Sequence, residues 1–66
     1  MTIKLNAEDY TVKRAKTVKE LLAELDIQME RVAIELNLKV IKKADYHITQ
    51  IQNGDSVEIV SYVGGG

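Results

Sequence analysis

One stretch of the sequence has the apolar spacing of a helix, and it lies between segments that alternate with the period of strands. In "TVKELLAEL", residues 17–25, Thr17 and Glu20 form the capping-box pattern that marks a helix start. Apolar residues then recur at the i, i+3, i+4 and i+7 spacing of one helix face: Val18, Leu21, Leu22 and Leu25. A single amphipathic helix has to bury that face against another layer, so the flanking segments are expected to supply a sheet.

Stretches on both sides of this helix alternate with period two, as half-buried strands do. They are "TIKLN", "DYTVKR", "RVAIELN" and "VEIVSYV". "NAED" separates the first two as a hairpin turn, and the Asn-Gly pair in "QNGDS" predicts a turn before the last strand. Between the third and last strands, "KVIK" fits a short strand and "KKADYHI" fits a turn or a brief helix.

This order of elements predicts an α+β fold. Its simplest form is a ubiquitin-like β-grasp, a mixed sheet of four to five strands packed on one main helix. We expect residues 1–63 to form the β-grasp domain and residues 64–66 to form a flexible C-terminal glycine tail.

Size and composition exclude several classes of function. A chain of 66 residues buries only about 60% of its unfolded surface, and a ligand pocket of roughly 300 Å³ or more would empty its core. We therefore predict no enclosed active site, so any chemistry has to take place on the surface or at an end of the chain. Balanced charges predict no nucleic-acid partner, and the lack of a long apolar run predicts no membrane insertion. The absence of cysteine favours a reducing compartment, and we expect a cytoplasmic protein that is a monomer when free.

Several chemistry-bearing residues fit an ordinary surface. His47 is the only histidine, and without cysteine or a second histidine it predicts a surface turn residue, with no metal site and no bound cofactor. Glu20 and Glu24 are interpreted as carboxylates on the solvent face of the helix. The pair Lys42-Lys43 is interpreted as part of a solvated basic surface.

Alternation in the last strand indicates which of its side chains meet solvent. Glu58 is costly to bury, so Val57 and Ile59 are predicted to face the core. Val60 and Tyr62 then share the solvent side with Glu58. We predict that these three residues, Glu58, Val60 and Tyr62, form a docking surface for a partner that handles the C-terminus.

Three glycines, Gly64, Gly65 and Gly66, follow this strand without a polar spacer. They would carry the terminal carboxylate roughly 10 Å beyond the last side chain, and without Cβ atoms they could enter a narrow channel. A carboxylate has to be activated before it can react, for instance as an acyl-adenylate. Side chains at Gly65 and Gly66 would crowd the channel and the attack path.

The chain resembles the ThiS family, the sulfur carrier proteins of thiamin biosynthesis, over essentially its whole length. The resemblance is carried by "MTIKLN", "TVKELLAEL", "AIELNLKVIKKADY", "NGDSVEIV" and the closing "VGGG". It implies a β-grasp fold and a carrier that acts as substrate and sulfur donor for other enzymes.

The resemblance also implies a reaction cycle. An adenylating, ThiF-like enzyme related to ubiquitin-activating enzymes would use ATP and magnesium to form an acyl-adenylate on Gly66. A persulfide sulfur supplied by a cysteine desulfurase or sulfurtransferase would displace AMP and leave a thiocarboxylate, a 1-thioglycine modification. Thiazole synthase would then accept the sulfur. Gly65 would provide clearance and Gly64 would extend the reach.

Three alternatives stay open at this point. A molybdopterin-synthase small subunit would use the same thiocarboxylate, although chains of that family are usually longer and richer in aromatic residues. A protein modifier would be joined through Gly66 to lysines of its targets. A ubiquitin-like interaction domain would carry an inert tail.

Overall fold

A computed structural model describes residues 1–62, which form one α-helix and a five-stranded mixed sheet. The elements in chain order are β1 (Thr2–Leu5), β2 (Glu8–Thr11), α1 (Val18–Glu24), β3 (Val32–Leu36), β4 (Lys39–Ile41) and β5 (Ser56–Ser61), with 3₁₀ turns at Met29–Arg31 and Lys43–Asp45. In the sheet they lie in the order β2-β1-β5-β3-β4, with β1 parallel to β5 and all other neighbours antiparallel. The predicted fold class is confirmed, and the uncertain segment after β3 contains both a short strand and a helical turn.

One face of the sheet and the apolar face of α1 bury each other. The core contains a single aromatic side chain, that of Tyr46, which is 1% exposed. It lies beyond the second 3₁₀ turn, and its backbone carbonyl accepts a hydrogen bond from the Lys19 N–H at 3.0 Å. The other buried residues come from the strands, the helix and the connecting loops: Ile3, Val12, Ala15, Val18, Leu21, Leu22, Val32, Ile34, Ile51 and Val57.

The start of α1 has the predicted capping box. The Glu20 N–H donates to Oγ1 of Thr17 at 3.2 Å, and the Thr17 N–H donates to Oε1 of Glu20 at 3.3 Å. Each contact satisfies a backbone donor that the first helical turn leaves free. The helix ends at Glu24, and Asp26 then adopts a left-handed conformation with φ 60°.

Two hairpin turns attach their asparagine side chains to β5. Both turns have positive φ at two successive residues, which is typical of the tight type I′ hairpin. Asn6 accepts from the Ile59 N–H at 2.8 Å, and Asn37 accepts from the Ser56 N–H at 2.9 Å. These contacts, together with its pairing to β1 and β3, hold β5 in the middle of the sheet, so the chain leaves the sheet from its most constrained strand.

Candidate functional site

The end of β5 is held in place by a cluster of hydrogen bonds around Tyr62. The Tyr62 N–H donates to the Arg31 carbonyl at 3.0 Å. Its hydroxyl accepts from the Lys43 ammonium at 3.0 Å, and the same ammonium donates to the Val32 carbonyl at 2.9 Å. The chain is thus anchored at Tyr62, four residues before the C-terminus.

Lys43 is therefore more than a solvated surface charge, and that part of the sequence interpretation is wrong. Its hydrogen bond to Tyr62 raises the pKa of the Lys43 ammonium, which keeps it charged. The ammonium nitrogen also lies 4.9 Å from the centre of the Tyr62 ring. The adjacent Lys42-Lys43 pair in the sequence carries no signal for this contact, because it depends on where the 3₁₀ turn at Lys43–Asp45 meets the end of β5.

The predicted division of faces in β5 is confirmed. Val57 is fully buried and Ile59 is half-buried against the core, whereas Glu58 is exposed. Val60 and Tyr62 are 53% and 54% exposed. The role of these residues in binding a partner remains a prediction.

The strand register extends this exposed surface onto β3 and β4. Ala33 lies opposite Val60, and Glu35 lies between Glu58 on one side and Val40 on the other. Directly opposed residues share a face of the sheet. We call the surface formed by these residues and by Tyr62 the open-face patch: Ala33, Glu35, Val40, Glu58, Val60 and Tyr62.

The reactive end of the predicted site lies outside the described residues. Gly64, Gly65 and Gly66 follow Val63, and the predictions for the tail and for the boundary at residue 63 stay predictions. The described part of the chain establishes what lies at the base of that tail, which is an anchored tyrosine next to the open-face patch.

A carboxylate that the sequence interpretation treated as ordinary has a structural role. Glu24, on the last turn of α1, accepts the Tyr10 hydroxyl at 2.6 Å. It also accepts three successive backbone N–H groups of the loop between β2 and α1, from Lys13 at 2.8 Å, Arg14 at 2.9 Å and Ala15 at 3.0 Å. The prediction of a simple solvent-facing carboxylate is wrong for Glu24, which fixes this loop to the helix.

These contacts lower the pKa of Glu24 from an ordinary 4.5 to about 2. The Lys13 N–H is the largest cause, followed by the Tyr10 hydroxyl and the Arg14 N–H. The same contact with Glu24 raises the pKa of Tyr10. The sequence offered one weak signal, a loop with three basic residues near a helical carboxylate, but it did not indicate that backbone N–H groups would be the donors.

An open groove of about 620 Å³ runs beside Glu24, between α1 and the loop of residues 13–16. Its volume exceeds what sequence reasoning allowed for a pocket, but it is a surface groove and not an enclosed cavity. The Glu24 oxygens at its side already accept four hydrogen bonds. Glu24 is therefore not a free carboxylate available for acid–base chemistry in this groove.

Residues 1–62 contain no cluster of three or more His, Cys, Asp or Glu side chains arranged to hold a metal ion. His47 lies exposed in the turn after the second 3₁₀ segment, as predicted. In the same part of the chain, no helix combines the length and the apolar character that crossing a bilayer requires.

One helix packed on a mixed five-stranded sheet, with the central strand leading to the C-terminus, defines a ubiquitin-like β-grasp protein. Its structure superposes on the crystal structure of the thiamine biosynthesis protein ThiS from Geobacter metallireducens with a TM-score of 0.85 and 36% identity, and all of both chains is covered. The ThiS family model matches residues 3–66. The chain belongs to the ThiS family.

Sequences similar to this chain are found both as separate small proteins and as part of a longer protein. The sulfur carrier protein ThiS of Bacillus subtilis (strain 168) is 35% identical over 65 residues, which cover 97% of this chain and 98% of that protein. A thiazole synthase of Paramagnetospirillum magneticum is 36% identical over 66 residues, which are all of this chain and 20% of that protein. The chain thus spans about one fifth of that thiazole synthase. These similarities favour the thiamin branch over the molybdopterin-synthase alternative.

Proposed function

We propose that this protein carries sulfur for thiamin biosynthesis as a thiocarboxylate on Gly66. As a member of the ThiS family, the protein is a sulfur carrier of thiamin biosynthesis. The main support for the role of Gly66 is that the family match extends through this terminal glycine. The structure adds support, because it anchors the chain at Tyr62 and leaves an exposed patch beside the base of the tail.

The chemistry starts from a carboxylate that is a poor electrophile. An adenylating enzyme joins the Gly66 carboxylate to AMP and releases pyrophosphate from ATP, with magnesium on the phosphates. A persulfide sulfur then attacks the acyl carbon, and the bond to AMP breaks. A thiol cleaves the resulting acyl disulfide at its outer sulfur, which leaves the thiocarboxylate on Gly66.

The proposal gives the protein the role of a substrate and donor, not that of an enzyme. Its proposed partners are a ThiF-like adenylating enzyme, a cysteine desulfurase or sulfurtransferase as the sulfur source, and thiazole synthase as the acceptor. A thiazole synthase that contains a region similar to the whole of this chain supports the last of these. A cytoplasmic location stays a prediction, made from the absence of cysteine.

The direct test is the intact mass of the protein after incubation with a ThiF-like adenylating enzyme, ATP, magnesium and a cysteine desulfurase. We expect a shift that corresponds to the replacement of one oxygen by sulfur. Deletion of Gly66 should abolish the shift. An unchanged mass of the wild-type protein, with an enzyme shown to load another carrier, would contradict the proposal.

A second prediction concerns the docking role of Tyr62. Replacing Tyr62 with aspartate removes an exposed ring from the open-face patch and adds a negative charge to the face that Glu58 shares. We expect affinity for the adenylating enzyme to fall roughly tenfold, because interface aromatics often dominate binding. Isothermal titration calorimetry measures the affinity, and circular dichroism shows whether the variant folds.

Ile48→Asp is the matched control for this prediction. Ile48 is 62% exposed and lies in the loop beside the start of α1, where the Val18 N–H donates to the Thr49 carbonyl at 2.9 Å. The Ile48→Asp substitution should leave the affinity for the adenylating enzyme unchanged. A folded Tyr62→Asp protein that binds as the wild type does would remove Tyr62 from the docking surface.

A further inference from the structure

Two carboxylates of like charge are paired directly across neighbouring strands in the open-face patch. Glu35 of β3 lies opposite Glu58 of β5 in the register of the sheet. Side chains in such pairs have Cβ atoms roughly 4.5–5.5 Å apart, and like charges in this position destabilise a sheet. The folded protein therefore contains an electrostatic repulsion between these two carboxylates. Core packing does not require this arrangement, because Glu58 is exposed and Glu35 is only half-buried.

Two of the lysines near this face of the sheet have other partners. Lys4 of β1 forms an ion pair with Asp9 at 2.7 Å, the one ion pair among residues 1–62. Lys43 donates to the Val32 carbonyl and the Tyr62 hydroxyl. Among residues 1–62, neither Glu35 nor Glu58 takes part in an ion pair.

The surroundings of the carboxylate pair suit a protein partner. Val40, next to Glu35 on β4, is 72% exposed, and Val60 and Tyr62 on β5 are each more than half exposed. Protein interfaces combine an apolar core with a polar rim, and this patch presents both kinds of group. The apolar groups could enclose the aliphatic part of a long basic side chain while its charged end reaches the carboxylates.

The length of the tail restricts which partner meets this surface. Four residues follow Tyr62, and an extended chain of four residues spans at most about 14 Å. Any enzyme that acts on Gly66 therefore has to place its active site within that distance of Tyr62. Its surface then lies close to Tyr62, at the end of the open-face patch nearest the tail, with Glu58 roughly 13 Å further along the same strand.

We propose that the Glu35–Glu58 pair receives an arginine side chain of the enzyme that adenylates Gly66; this inference rests on the proposed function. A guanidinium has five N–H donors in a planar fork and can bridge two carboxylates, which a lysine ammonium does less well. An adenylating enzyme has to hold the phosphates of ATP and an anionic C-terminus, so cationic side chains around its tail channel are expected. The two negative charges of the Glu35–Glu58 pair are complementary to such cationic side chains.

The proposal predicts opposite effects on the free and the bound protein. Glu58→Gln or Glu35→Gln removes the repulsion, so each should raise the melting temperature by about 2–4 °C. The same substitutions remove a carboxylate from the arginine, so the double variant should bind the adenylating enzyme roughly tenfold more weakly and with a shallower dependence on salt.

The experiment measures the melting temperature and the dissociation constant at three salt concentrations, with a purified ThiF-like adenylating enzyme and no ATP. Glu8→Gln is the matched control. This substitution removes one negative charge from an exposed side chain. Glu8 is paired with Leu5, which packs against the core, so Glu8 lies on the face that α1 covers and not on the face of the open-face patch. We expect the control to change neither affinity nor salt dependence.

Unchanged affinity of the Glu35→Gln, Glu58→Gln double variant for the adenylating enzyme would overturn the inference. Each single substitution removes one charge, as Glu8→Gln does. If Glu35→Gln and Glu58→Gln each weaken binding no more than Glu8→Gln, the inference is overturned as well, because only net charge would then matter. The intact-mass assay separates these results from a failure of the proposed function. At excess enzyme the double variant should still gain sulfur, whereas failure of the wild-type protein to gain sulfur would contradict the carrier role itself.

Discussion

Replacing Gly65 with valine is expected to slow formation of the Gly66 thiocarboxylate about 100-fold, the scale on which a small misplacement of reacting atoms lowers catalysis. The valine Cβ and its two methyl groups would enlarge the tail where a partner's channel has to enclose it, and they would restrict the backbone angles that glycine permits. The measurement is the rate of the mass shift in the presence of adenylating enzyme, ATP and sulfur donor.

Gly64→Ala serves as the graded control for this prediction. It adds one methyl group a residue further from the acyl carbon, so a loss of less than about tenfold is expected. Binding through the open-face patch should survive in both variants, because Val60 and Tyr62 are unchanged. Loading of Gly65→Val at the wild-type rate would show that the tail does not pass through a narrow channel.

The largest expected effect on stability comes from Glu24→Gln. One carboxylate oxygen accepts from Tyr10 and Lys13, and the other accepts from Arg14 and Ala15. An amide replaces one of these oxygens by an NH₂ group, which would face donors. We expect the free energy of unfolding to fall by about 2 kcal/mol, because charge-assisted hydrogen bonds are lost. The loss is limited to this size because the exposed N–H donors can form hydrogen bonds with water instead. Urea denaturation measures this change.

The pH dependence of the same variant tests the cause. The folded-state pKa of Glu24 is about 2, against an ordinary value of 4.5, so the unfolded chain binds its proton first as pH falls. The stabilisation from Glu24 is therefore complete above about pH 4.5 and is lost as pH falls towards about 2. The difference in stability between the wild type and Glu24→Gln should shrink across this window.

Glu8→Gln provides the comparison, because it removes an exposed carboxylate from β2. Its free energy of unfolding should stay within about 0.5 kcal/mol of the wild type. A difference between wild type and Glu24→Gln that stays constant from pH 7 to pH 2 would contradict the assigned role of the charge. Equal stability of the two proteins at neutral pH would show that the loop is held by other contacts.

Elements with a local pattern were predictable from the sequence. The capping box of Thr17 and Glu20 joins residues three apart, and the buried face of α1 repeats at helical spacing, so both follow from near neighbours in the chain. The exposure of Glu58, Val60 and Tyr62 followed from period two and the cost of burying one carboxylate. The glycine tail was also evident from the sequence, together with the family that it indicates.

Contacts between distant segments could not be predicted from the sequence pattern and are evident only in the tertiary structure. The hydrogen bonds of Glu24 join α1 to backbone N–H groups of another segment, and every residue type except proline can present those groups. The anchoring of Tyr62 by Lys43 and the opposition of Glu35 and Glu58 depend on the register and order of strands that lie far apart in sequence. Periodicity determines which face a side chain occupies, but the side chain it meets across the sheet is set by packing of the whole chain, because register is a collective choice among many weak pairings.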